Sequence, residues 1–241
     1  MTRPPRKPSP TVIVVIGSPS IVPADPGRRS MAAGRSIEVA HGATAAGAQV
    51  QLVGKVGDDP AGDALLLALA DLGIGHVAIL RDPARRTPVV PVATADDEAI
   101  LPDADEDEDE DETGALTASA NGGVPDEPLP TIDAGDLDLA LGYLPDHSVV
   151  VVAERLDPDA LAVVAADCSY VAAALVVIVE PGGEPPDLPS GATLLEAPRS
   201  DPDGLFGRTV GHFAAALDRG MSGDEALAAA AAGAGWQPTA G

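Results

Sequence analysis

Runs of β-branched residues alternate with Ala- and Leu-rich stretches along most of the chain. Thr11–Ile16 (TVIVVI) is almost wholly apolar and stops at Gly17, as expected of a strand buried on both faces. Gln49–Val53, ended by Gly54, and Val77–Leu80, Val149–Val152 and Ala174–Val179 read the same way, and Val89–Ala93 is a further strand candidate. Pro181-Gly182-Gly183 closes the run at Val179, and the Pro/Gly-rich stretch Ser18–Gly27 reads as loop. Between the strands, Ser36–Ala46 is Ala-rich and predicts a helix. Asp59-Pro60 opens the clearest helix: the aspartate can cap it, and proline suits a first position that needs no amide donor. Ala64, Leu65, Ala68, Leu69 and Leu72 then recur at helical spacing until Gly73. Asp157-Pro158 repeats this start for a helix through about Ala166, and Leu205–Leu217 is the next helix. Ser222-Gly223-Asp224-Glu225 is a capping box that opens the last one, Asp224–Ala232. Such alternation implies βαβ units and a mainly parallel sheet with helices on both faces, with sites at the carboxyl ends of the strands.

Residues 96–136 break the rhythm. Their centre, Asp103–Glu112 (DADEDEDEDE), repels itself, and the Gly, Thr, Ser and Pro that follow offer little apolar surface to offset ordering entropy. A disordered acidic insert is expected there; it lacks the glycine and ligand spacing of a calcium loop. Residues 1–10 are basic and Pro-rich and are expected to be a disordered tail before a single domain spanning 11–241. The apolar run after the tail is short for a signal peptide, and no stretch is long enough to span a bilayer.

Composition narrows the function classes. A net charge of −24 argues against nucleic-acid and anionic-membrane partners. With 45% hydrophobic but only 2% aromatic residues, the core must be built from Ala, Val, Leu and Ile. One cysteine, Cys168, cannot form an internal disulfide, so a reducing cytoplasm is expected and the thiol reads as a small buried hydrophobe. His41, His76, His147 and His212 show no metal-ligand spacing, so no metal site is expected.

The segment Gly47–Leu80 (GAQVQLVGKVGDDPAGDALLLALADLGIGHVAIL) is similar to the second strand–helix–strand unit of the PfkB/ribokinase family of sugar kinases. That family carries G-x-V-G-x-D-x-x-G there, matched by Gly54, Val56, Gly57, Asp59 and Gly62, followed by an amphipathic helix and L-G-[VI]. Phe213–Ala232 resembles the family's last helix pair, Val149–Glu154 its strand ending in Glu, and Val176–Gly182 its next strand with a proline. The resemblance implies a ribokinase-like three-layer sandwich with a reduced lid drawn from about Ile21–Met31 and Val77–Ala93.

The resemblance also shows what is missing. The family motif D-T-x-G-A-G-D, which cradles the transferred phosphate and supplies the catalytic base, aligns with Asp201-Pro202-Asp203-Gly204-Leu205-Phe206-Gly207. Gly204 is kept, and Gly207 stands at the position of the base. Losing a general base typically costs about 10²- to 10⁴-fold in rate. Asp201 and Asp203 are the candidate substitutes, although this register places them before the helix and pointing elsewhere. Gly204 and Arg208 remain as a phosphate-binding remnant. On the sugar side, G-G-x-G-A-N becomes Ala33-Gly34-Arg35-Ser36-Ile37-Glu38, keeping Gly34 and placing Glu38 where the family has Asn. The sugar-binding Asp at the end of the first strand falls on Val22, with Asp25 nearby as a substitute. The magnesium-organising N-x-x-E motif survives at most as Leu195-Glu196-Ala197-Pro198, and little chain separates Glu196 from Asp201.

Taken together these imply a degenerate, inactive sugar-kinase homologue with no cofactor, acting as an interaction or regulatory protein with a protein partner or as a homodimer. The alternatives are an active carbohydrate or nucleoside kinase using ATP and Mg²⁺, and a non-catalytic nucleotide or sugar sensor.

Overall fold

A computed structural model describes residues 11–24, 29–90, 128–144 and 146–233. The tail 1–10, Asp25, and the acidic centre 103–112 lie outside the described residues.

Six strands form one parallel sheet in the order β5-β4-β1-β6-β7-β8. They are β1 (Val12–Ile16), β4 (Val50–Gly57), β5 (Gly75–Asp82), β6 (His147–Val152), β7 (Ala174–Val179) and β8 (Thr193–Glu196). β2 (Ser20–Val22) and β3 (Met31–Ala33) pair separately and antiparallel. The helices are α1 (Arg35–Ala45), α2 (Pro60–Asp71), α3 (Ala134–Tyr143), α4 (Pro158–Val171), α5 (Leu205–Asp218) and α6 (Gly223–Gly233).

The continuous apolar strands are read by both layers. Ile13 and Val15 of β1 face a core shared with α1, α2, α5 and α6. Val14 and Ile16 face the other core, with α3 and α4. This is the expected three-layer α/β sandwich. Its core is Val, Ile, Leu and Ala, with Phe213 the one buried aromatic among the described residues. Small side chains let layers approach closely. A methyl group on Gly42 of α1 would overlap the carbonyl oxygen of Arg208, and one on Gly211 of α5 would overlap that of Val39. The two helices therefore touch backbone to backbone.

The reduced lid is the β2–β3 hairpin, to which Ile21 adds an isolated bridge with Val89. β2 thus lies within the stretch Ser18–Gly27 that its Pro and Gly content marks as loop. Three residues each make these strands too short for period-2 alternation to declare them. The sequence pattern does not announce α3, whose first turn lies inside the span 96–136. Asp133 accepts a hydrogen bond from the Asp136 amide (2.9 Å) while the Asp136 carboxylate accepts from the Asp133 amide (3.2 Å), a reciprocal cap. No helix among the described residues is long and apolar enough to cross a membrane.

Candidate functional site

From β1 the chain runs outward to β4 and β5, then returns to place β6 on the other side of β1. The order reverses between β1 and β6, and a crevice at the carboxyl ends of such strands is where ligands bind in open α/β sheets. There the Ser18 hydroxyl donates to Glu154 across the gap (2.6 Å). Arg35, at the start of α1, donates to Glu180 at the end of β7 (2.6 Å) and to the Ala153 carbonyl (3.3 Å). Gly34 precedes α1 with φ 109°, a conformation other residues rarely adopt. Ser36 is 3% exposed, and its hydroxyl has no protein partner.

The start of α5 closes this end. Asp201-Pro202-Asp203-Gly204 is a tight turn, with the Gly204 amide donating to the Asp201 carbonyl (3.1 Å) and Gly204 left-handed at φ 64°. The turn folds the Asp201 carboxylate back onto the helix, where it accepts from the amides of Phe206 (3.1 Å) and Gly207 (3.3 Å). The sequence expectation that Asp201 points away from the helix start is corrected here. Asp-Pro-x-Gly is a turn signature with proline at its second position, and that signal was present in the chain. Asp203 is exposed and takes no part in this cap.

Glu38 of α1 fills the space in front of α5. A methyl group on Gly204 would lie 2.5 Å from the Glu38 carboxyl carbon, and one on Gly207 would lie 2.6 Å from the Glu38 Cβ. Arg208 donates to the Glu38 carboxylate (2.7 Å). The structure therefore brings Asp201, Gly204, Gly207, Arg208 and Glu38 together, with Gly34 at the other end of the first turn of α1. Glu196, at the end of β8, accepts from the Gly182 amide (3.0 Å).

The matched turn after β4 is built differently. Asp59 caps α2 through the Gly62 amide (2.8 Å) and also accepts from the amide (2.9 Å) and hydroxyl (2.8 Å) of Thr87. Arg81 donates to the Gly57 carbonyl (2.8 Å) and pairs with Asp63. Burial pushes the Asp59 carboxyl up, but the bonds from Thr87 and Gly62 and the charge of Arg81 outweigh it and hold it below its ordinary range. Cys168 is buried as expected, and burial, with Asp167 beside it, pushes its thiol up to about 12, so it is no nucleophile.

An open six-stranded parallel sheet, helices on both faces and a small separate hairpin define a ribokinase-like fold. Residues 18–120 match the family model of the pfkB family carbohydrate kinases. The fold is similar to that of an Escherichia coli protein assigned as Ribokinase II, at 13% identity and a TM-score of 0.58, covering 93% of this chain and 92% of that one. It is also similar to a PfkB protein of Polaromonas sp. JS666, at 13% identity and a TM-score of 0.56, covering 93% and 95%. It is similar as well to the Arabidopsis thaliana ribokinase solved with ribose and ATP, at 13% identity and a TM-score of 0.54, covering 94% of this chain and 92% of that one. At such identities the likeness establishes the fold. No curated protein matches the chain in sequence.

Proposed function

We propose that this chain is a non-catalytic ribokinase-like protein that acts through interaction or regulation. One observation carries the reading. The amides of Phe206 and Gly207, which by the family resemblance would face a transferred phosphate, are bonded to the protein's own Asp201. A phosphate arriving there would meet two carboxylates, Asp201 and Glu38, where a helix N-terminus would otherwise favour its charge. Gly207, at the position of the base, has no group to accept a proton. The residues present thus do not fit the phosphate end of ATP. Glu196, engaged with Gly182, is equally a poor start for a magnesium site. The acidic insert would then serve as a solubilising or partner-binding segment.

A second reading rests on the same carboxylate. If Asp201 left its amides, it would be an acid beside a helix start and would serve as a base in an ATP- and Mg²⁺-dependent kinase. The test is phosphate transfer from ATP with Mg²⁺ to a panel of sugars and nucleosides. No turnover above background is expected. Turnover that is lost in Asp201→Asn or Asp203→Asn would overturn the proposal. Thermal shift with ATP, ADP and ribose separates a ligand sensor from both: a ligand at 100 times its Kd would add about 2.7 kcal/mol, and no shift is expected.

A further inference from the structure

The helix layer formed by α3 and α4 holds a cavity of about 520 Å³ on the face of the sheet opposite α1 and α5. It lies between α4, the carboxyl halves of β6 and β7, and the loop that joins β7 to β8. Its size suits a small organic ligand. The walls are apolar: Leu156, Leu161, Ala165, Val177, Val179 and Pro186. The charged groups at its border are Glu154, Glu180, Glu184, Asp187 and Arg155. Arg35 pairs with Glu180 from outside the cavity. The mouth is therefore net negative even with both guanidinium groups counted, four carboxylates against Arg155 and Arg35.

Apolar walls with an acidic mouth select one chemistry. An anion would be repelled, and a neutral apolar molecule would gain nothing from the negative charge at the rim. A cation with an apolar body satisfies both parts, burying the body against Val177 and Leu161 and holding its charge at Glu184 and Asp187, which are exposed on the rim. We infer that the cavity between α4 and the β7–β8 loop is a binding site for a small organic cation, an aromatic or aliphatic body bearing an ammonium group. The site is distinct from the start of α5 and does not depend on whether that end performs chemistry.

Three probes that share an indole body decide it: tryptamine (cationic), 3-methylindole (neutral) and indole-3-propionate (anionic). Each is titrated into the ¹⁵N-labelled full chain, following amide shifts. Tryptamine is expected to give saturable shifts confined to Ala162, Ala165 and Val177–Glu180, with indole-3-propionate at least about tenfold weaker. Ala162→Trp places an indole in the cavity from α4 and should abolish the tryptamine shifts. Glu184→Gln with Asp187→Asn alters only exposed loop residues; it should weaken tryptamine by about fivefold or more and leave 3-methylindole unchanged. This pair keeps the test open should Ala162→Trp fail to fold. Equal affinity for the three probes, shifts scattered over the acidic surface, or tryptamine binding unaffected by the loop pair would overturn the inference.

Discussion

α2 and α5 each start under an aspartate carboxylate at the same end of the sheet, and these two starts differ in what the carboxylate holds. At α2, Asp59 is the capping residue itself and also clasps Thr87, tying the end of β4 to the segment that follows β5. At α5, Asp201 reaches back across a turn to amides that no other protein group takes up, while Glu38 and Arg208 close the space in front. The first arrangement joins two segments distant in sequence. The second seals a helix end. The same side-chain chemistry can therefore tie distant segments together at one helix start and occupy the amides of another, within one fold.

Substitutions that separate these roles rank by how much packing each disturbs. The largest effect belongs beneath the sealed end. Gly211→Val has no room against the Val39 carbonyl and should cost about 3 kcal/mol, seen as a lower urea midpoint at constant slope. A cost under 1 kcal/mol would mean that α1 and α5 are not in backbone contact. Asp59→Ala comes next, at about 2 kcal/mol, since a cap and two bonds from Thr87 go together. Its effect depends on pH. Because the Asp59 carboxyl is held below its ordinary value of 3.8, the stability it gives is complete above that value and disappears as pH falls through the lowered one. The difference between wild type and Asp59→Ala should therefore shrink on acidification, and a constant difference would deny the clasp.

Asp201→Ala removes a cap alone and should cost about 1 kcal/mol. It should also expose the Phe206 and Gly207 amides, so that sulfate raises the melting temperature of the variant more than that of the wild type. Equal shifts would show that the carboxylate does not seal the helix. The smallest effect is expected for Arg208→Ala. Its pair with Glu38 is about one-third exposed, at 34% and 31%, and such pairs contribute about 1 kcal/mol or less.

The parallel sheet was legible because β1 is an unbroken β-branched run and β6 and β7 end in such runs, Val149–Val152 and Val176–Val179, which few other structures accommodate. The capped start of α2 was equally plain; α4 does start at Pro158, but the Asp157 side chain makes no cap bond there, against the expectation from the repeated Asp-Pro. α3 escaped because its first turn lies inside the span 96–136 and it buries only Leu137, Ala140 and Leu141. β8 escaped because it alternates between half-buried and exposed positions over four residues at the sheet edge. At the candidate site, the grouping of Gly204, Gly207 and Arg208 at one helix start was visible in the sequence. The seat of Asp201 could not be read from spacing along the helix, since it depends on the left-handed Gly204 turning the chain back by one residue's rotation.

The contact of Gly42 with Arg208 and of Gly211 with Val39 leaves α1 and α5 no slack to slide past one another. The pair should behave as one mechanical body, its amides opening to solvent together and among the slowest in hydrogen exchange. Any breathing of this end of the molecule would then fall to the β2–β3 hairpin, whose strands are three residues each.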